Sequence, residues 1–317
     1  MMRSKELLAI VFSDLHLSDW SKYSTRLDTA IDIWKRLAKK ASKNKVPLIH
    51  CGDILHKPES ITIELSFIMQ NILHYIDTLP NFEMWSISGN HSINSLSKIG
   101  ENPKSWDLLF SKYSSNWNVL DYQSLVKGNV CLYGVPYIDN NSGLSQYLKG
   151  LKLDKDKKNI LLLHTSYPGA KDTDNRPISS ENISVNDLSK FDLVLCGHIH
   201  KPQRLGKKVY MIGSPYQQRR SDKDCNLGYW ELYKDLSLKF VPLKDYPKYI
   251  DVDSEDKIKE DGNYYTLVTP QVKNVPIKHK INKSLSKKKL AHRYMITRGI
   301  DDSKKEDLLI RILKKSE

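Results

Sequence analysis

The chain contains no run of about 18 consecutive apolar residues, which excludes a helical membrane span within it. Cysteine is scarce: the four residues, at 51, 131, 196 and 225, lie far apart without CxxC spacing. That excludes both a disulfide-stapled framework and a cysteine-built structural zinc site. Cys51 and Cys196 each precede a glycine at the end of an apolar run, so they read as reduced core thiols of a cytoplasmic protein. No signal-type apolar region is evident either, because the apolar part of MMRSKELLAIVF is only Leu7–Phe12 and runs directly into Asp14, which reads as a core strand. Also missing is a basic amphipathic helix with a bulky aromatic face. The formal charge of +13 therefore favours nucleic acid over a membrane surface as polyanionic partner, against the bland alternative of a soluble, lysine-rich exterior.

With 39% hydrophobic and 27% charged residues over 317 positions, the sequence can fold as one large soluble domain with a smaller appendage. Its most informative stretch is Phe191–Gln203, FDLVLCGHIHKPQ. Leu193–Cys196 reads as a strand buried on both faces, Gly197 permits a sharp turn, and His198 and His200 follow. In an extended loop, residues two apart point the same way, so both imidazoles could serve one ligand site, although two exposed loop histidines would look the same. Four other apolar strands end in comparable chemistry. Leu7–Phe12 leads to Asp14 and His16, Leu48–Cys51 to Gly52-Asp53, Met84–Ser88 to Gly89-Asn90-His91, and Ile160–Leu163 to His164. These donors are carboxylates, an amide and imidazoles without a thiolate, a set suited to Mn, Fe or Zn in an open catalytic site. In layered α/β sheets, ligands gather beyond the carboxyl ends of strands, where all of these residues fall.

Between these points, Thr25–Lys43 and Ile61–Ile76 read as amphipathic helices, and His74 in the second as a packed or half-exposed residue. Residues 94–129 read as a short helix and loop around Trp106, Leu108, Leu109, Phe110 and Trp117. Val130–Val135 is expected as a strand ending in a Pro136-Tyr137 turn, and Leu144–Leu151 as helix. The loop Pro168–Ser180, with Lys171 and Arg176, is a candidate substrate contact. Val209–Ile212, Asn226–Tyr233, Tyr249–Asp253 and Tyr264–Val268 read as further strands. From Gln271 to Arg298 the sequence carries nine Lys or Arg residues and no acid, fitting a DNA-contacting surface, a basic linker or a solvated tail. From Asp301 on, acids precede bases and Leu308, Leu309, Ile312 and Leu313 form a stripe, the pattern of a helix in need of a partner surface.

DxH, GD, GNH, a lone histidine and GHxH in this order resemble the calcineurin-like metallophosphoesterase superfamily. GDILHKPE at 52–59 and GHIHKPQ at 197–203 resemble its SbcD-type branch, the nuclease subunit of a DNA double-strand-break repair complex. The likeness spans residues 7–232 and implies an α/β fold, a four-layer α/β/β/α sandwich with a small C-terminal α+β capping segment and a terminal helix. It suggests a nuclease domain over 1–242, a reduced DNA-capping segment over 243–282, and a basic linker with a partner-binding helix over 283–317.

The same resemblance implies two divalent cations, Mn first, with Asp53 bridging them. Asp14, His16 and His200 complete one ligand set; Asn90, His164 and His198 complete the other. His91 would be the general acid for the leaving alkoxide, and His56 would position DNA. The chain departs from the family where Ser92 replaces the usual acid after GNH, which bears on the charge or orientation of His91. An SbcC-type coiled-coil ATPase, a homodimer within a heterotetramer, and a cytoplasmic or nucleoid-associated location follow from the resemblance, with cellular and viral hosts both open. The expected activity is Mn-dependent exo- and endonucleolysis of DNA. The alternatives are a small-molecule phosphodiesterase or phosphatase of the same superfamily and a catalytically weakened subunit that binds DNA and ATPase.

Overall fold

The computed structural model describes residues 5–18, 24–95, 98–139, 141–178 and 183–268. In β1 (Leu7–Phe12), successive side chains alternate between two buried faces: Ile10 and Phe12 enter one apolar cluster, Ala9 and Val11 another. Helix α1 (Ser24–Asn44), strand β2 (Leu48–His50), helix α2 (Ile63–Asp77) and strand β3 (Met84–Ser86) follow. Apolar residues at helical spacing, Trp34, Leu37, Ala38 and Ala41 of α1 and Leu65, Met69, Ile72 and Ile76 of α2, cover the first of these faces. Thr62 starts α2 by accepting a 3.2 Å hydrogen bond from the Leu65 amide.

The segment expected as helix and loop contains more strand than its sequence reveals. Strands β4 (Ile93–Ser95) and β5 (Lys104–Ser105) pair antiparallel, α3 (Trp106–Phe110) follows, and β6 (Trp117–Val119) joins β3 in parallel. Elements of two or three residues are too short for alternation to register as a pattern. The chain continues through β7 (Ser124–Lys127), β8 (Val130–Val135), α4 (Asn141–Gly150), β9 (Lys158–His164), β10 (Leu193–Gly197), β11 (Gln203–Leu205), β12 (Val209–Met211), β13 (Gly228–Tyr233) and β14 (Leu238–Pro242).

Two six-stranded sheets result, ordered β14-β13-β1-β2-β3-β6 and β11-β12-β10-β9-β8-β7. The inner pairings β1–β2, β2–β3 and β3–β6 in one, and β8–β9, β9–β10 and β10–β12 in the other, are parallel. Period-two alternation sorts the second sheet as it does the first. Ile160, Leu162 and Leu195 face Val11, Ile49 and Trp85 between the sheets, whereas Leu161, Leu163, Val194 and Cys196 face outward onto Leu144 and Leu148 of α4. The architecture is the four-layer α/β/β/α sandwich.

A small parallel pair, β15 (Tyr249–Val252) and β16 (Tyr264–Leu267), is fastened to the connection that runs from β12 to β13. The Tyr249 amide donates to Gln217 Oε1 at 2.8 Å, and Asp251 pairs with Arg220 and Lys223. The basic run and the C-terminal helix expected from the sequence lie outside the described residues.

Leu162 is fully buried between the sheets. Replacing it with alanine should lower unfolding free energy by about 2–5 kcal/mol, read as a reduced urea midpoint at unchanged slope.

Candidate metal centre

The loops that leave β1, β2, β3, β9 and β10 meet at one end of the sandwich, and the first two are laced together by main-chain hydrogen bonds. Asp14 N donates to Gly52 O at 3.0 Å, His16 N to Asp53 O at 3.0 Å, and Leu17 N to Ile54 O at 2.7 Å. Asp14, His16 and Asp53 are all held at positive φ, 52°, 52° and 62°, a region uncommon for non-glycine residues and enriched in Asp, Asn and His. Such backbone turns aim successive side chains inward rather than along the strand. Two motif glycines are sterically required. A Cβ at Gly52, where φ is 100°, would lie 2.1 Å from His164 Nδ1, and one at Gly89 would lie 2.1 Å from Asp53 Oδ1.

All nine candidate site residues named from the sequence come together here. Asp14, His16 and His200 form one group whose ligand atoms lie within 4.8 Å of one another, and Asp53, His164 and His198 form a second. Asp53 stands between them, with Oδ2 3.2 Å from His164 Nε2 and 3.7 Å from His16 Nε2. Asn90 Oδ1 closes the second group, 3.1 Å from His164 Nε2 and 2.9 Å from His198 Nδ1. His16 Nε2 lies 3.1 Å from His200 Nε2 in the first. His91 and His56 stack at 5.1 Å beside His16, and His56 Nδ1 is 3.2 Å from His16 Nδ1. The loop beyond β9 borders the same side: Asn175 accepts from Lys201, next to His200, while Arg176 pairs with Asp174. His74 is exposed on α2.

The donors fit divalent cations. His164 Nδ1–H donates to Cys51 O at 2.7 Å, so a neutral ring has only a lone pair at Nε2 to offer, and it faces the oxygens of Asn90 and Asp53. Acceptors converging on acceptors need either a proton or a cation between them. In the protein alone, a proton plays that part. Burial opposes charge on His164, but Asp53 outweighs it and holds the ring up at about 9. Burial likewise favours a neutral Asp53, yet the imidazoles, His164 foremost, keep it far below the usual carboxylate range. Burial lowers His56 and His198 to about 4, holds His16 well below the ordinary imidazole value and raises the Asp14 carboxyl, so each of these groups is pushed towards its neutral form. With two buried carboxylates, an amide oxygen and four imidazoles, the clusters fit two divalent ions.

Several residues around the centre were not legible in advance. Asp222, fully buried, lies 4.0 Å from His200 Nδ1 and accepts from the amides of Gln218 and Arg219 at 2.9 and 3.2 Å. At that distance its hold on His200 is electrostatic. Tyr137, read only as a turn residue, lies at the end of β8 with its ring 6.0 Å from His198 and 6.4 Å from His164. That position, one more strand end on the same side, was the available signal. His50, hidden in the apolar run of β2, is buried against Phe12 at 4.6 Å with neither ring nitrogen bonded, and burial drives it down to about 3. Beneath the Gly89–Ser92 turn are two further buried carboxyls. Asp121 accepts from Ser88 N at 2.8 Å and Ser88 Oγ at 2.6 Å, and burial lifts it to about 6. Asp107, on α3, is 1% exposed and burial pushes it up to about 8.

Residues 8–202 match the calcineurin-like phosphoesterase family, and the chain belongs to it. The chain is 29% identical over 140 residues to the SbcD subunit of the SbcCD nuclease from Staphylococcus epidermidis, an alignment covering 39% of this chain and 37% of that protein. It is 24% identical over 234 residues to 244L of Invertebrate iridescent virus 6, a provisionally named phosphoesterase, covering 72% and 78%. A dimetal phosphatase from Danio rerio superposes with a TM-score of 0.42 at 10% identity, over 73% of this chain and 94% of that one.

The titration of Asp107 has a measurable consequence. Burial lifts the Asp107 carboxyl from the ordinary 3.8 to about 8, with Asp121 and Asp53 adding to the rise and Ser92 and His164 opposing it. The folded chain thus retains a proton that the unfolded chain releases above about pH 4, so this residue's contribution to stability falls as pH rises towards 8. In chelator, urea midpoints measured at pH 5 and pH 8 should fall less for Asp107→Asn than for the wild type.

Proposed function

We propose that the chain is the Mn-dependent DNA nuclease subunit of an SbcC/SbcD-type repair or recombination complex, hydrolysing phosphodiesters with two metal ions. The observation that carries this reading is the position of the Asp53 carboxylate between two imidazole groups, with His91 alongside. Asp14, His16, Asp53 and His200 would hold one cation, and Asp53, Asn90, His164 and His198 the other. When bound, the pair would supply Lewis-acid stabilisation of the phosphodiester's developing charge and a nucleophile from water at neutral pH.

His91 is the general acid in this scheme. Its Nδ1–H donates to the His56 carbonyl at 2.7 Å and its amide donates to Asp53 Oδ1 at 2.8 Å. The ring is therefore aimed by main chain and by Asp53, which supports a working orientation despite Ser92, and Nε2 is left to protonate the departing sugar oxygen. His56, stacked on His91, seats the strand. Support for DNA as substrate comes from the +13 charge, from GDILHKPE, and from the likeness to the staphylococcal SbcD protein. That likeness spans just over a third of the relative's length. An SbcC-type coiled-coil ATPase and a homodimer within a heterotetramer complete the proposed assembly, with the C-terminal stripe as docking element.

A second reading, a phosphodiesterase of small substrates, is favoured by the longer alignment with the viral phosphoesterase. The two separate on linear duplex DNA and bis-p-nitrophenyl phosphate. Mn-dependent DNA cleavage with salt-sensitive binding is expected. Hydrolysis of the small ester alone would replace the nuclease by the second reading. His91→Ala should keep two metals per chain while kcat falls about 10²–10⁴-fold. Unchanged activity in that variant would remove His91 from its role, and a wild type that binds DNA and two metals but cleaves neither substrate would point to the catalytically weakened subunit.

A further inference from the structure

Position 92 lies at the end of the turn that carries Asn90 and His91, and its hydroxyl is anomalous. Ser92 is fully buried and its Oγ has no hydrogen-bond partner. Both carboxyl oxygens of Asp107 share that condition, at 1% exposure. A buried polar atom left unmatched gives up its hydration without a replacement partner, so three in one place call for an account. The two residues are neighbours by construction: the Trp106 amide donates to Ser92 O at 3.0 Å, and Ile93 pairs with Ser105 in the β4–β5 ladder. The Ser92 hydroxyl is also the group that acts most strongly to offset the burial of the Asp107 carboxyl.

The ordinary role of an acid at the second position of a helix is to face the helix N-terminus. Two observations exclude it here. Ser105 already caps α3, accepting from Leu108 N at 3.2 Å. An acid serving a helix dipole would also be stabilised as the anion, whereas Asp107 is pushed the other way and stays protonated at neutral pH. A buried, neutral carboxyl beside a buried hydroxyl can pair with it after a small rotation, each group having both a donor and an acceptor.

The geometry points to Asp107 as a positioning residue: it braces Ser92 from α3 and so fixes the turn that presents Asn90 and His91 to the metal centre. The carboxyl that the sequence lacks at position 92 is thereby supplied from outside the turn. That turn has little slack, since Gly89 lies against Asp53 and the His91 amide donates to Asp53 Oδ1 at 2.8 Å. Loss of the brace would shift Asn90 and His91 together.

The inference rests on the metal-dependent reading above, so Mn(II) titration calorimetry is run beside kcat and KM on bis-p-nitrophenyl phosphate, with urea denaturation to confirm folding. Asp107→Asn, neutral and isosteric, should stay within about threefold of the wild type. Asp107→Ala should lose about 10–100-fold in Mn affinity or kcat with little change in KM. Ser92→Ala should lose about tenfold, and the double variant should be no worse than Asp107→Ala, as expected of one shared interaction. Wild-type behaviour of Asp107→Ala, an equal loss in Asp107→Asn, or losses that multiply in the double variant would each overturn the brace. Should Asp107→Ala fail to fold, Ser92→Ala decides alone, and its wild-type behaviour would overturn the inference. A wild-type chain that binds Mn without hydrolysing any phosphodiester defeats the enzymatic reading and leaves the titration to judge Asp107; one that binds no Mn defeats both.

Discussion

One buried carboxylate organises this end of the molecule. Asp53 has its main chain at positive φ, its carbonyl bonded to His16, one carboxyl oxygen bonded to the His91 amide and the other facing His164 and His16. An anion that is 1% exposed is tolerable only because imidazoles on both sides compensate it. Those imidazoles are in turn held by groups that face away from the centre. Cys51 O receives the His164 ring, His56 O the His91 ring, and Asp222 stands behind His200. Imidazoles oriented by their second nitrogen are what a metal site requires before any metal arrives.

The sequence is most legible where one residue carries both a structural and a chemical signal. At each strand end an apolar run stops at a donor, so Asp14, Asp53, Asn90, His164 and His198 could be grouped from the order of residues alone. Both buried faces of β9 and β10 were visible as unbroken apolar runs, which is why covered strands could be expected, whereas their arrangement in two sheets was implied by the family resemblance. What escaped is what depends on distant pairing. Asp222 sits in a polar stretch and resembles a surface acid, while Asp107 reads as the polar position of a short apolar segment, and only the folded chain turns the two inward. Strands β4, β5 and β6 are held by their partners rather than by their own composition. His50 was concealed for the opposite reason, because its apolar neighbours made its strand look uniform.

Charge near the centre is managed by exclusion of water more than by pairing. Burial is the largest influence on Asp14, His16, His56, His198, Asp107 and Asp121 alike, and each moves towards its neutral form. Asp53 and His164 move the other way and form a charged pair, and Asp222 behind His200 is likewise held towards its anion by its hydrogen-bond donors and by His200. This concentrates the local field on the one carboxylate equidistant in role between the two imidazole groups.

The two groups do not divide along the layers of the sandwich. Asp14 and His16 extend from β1 while His200 follows β10; Asp53 follows β2 and Asn90 follows β3, while His164 ends β9 and His198 follows β10. Any ion seated in either group would therefore rivet one sheet to the other, adding its binding free energy to the cohesion of an interface otherwise made of aliphatic and aromatic side chains. Sliding of one layer across its neighbour, even slight, would open both coordination shells at once, so the grease between the sheets also sets the tolerance of the chemistry at their rim.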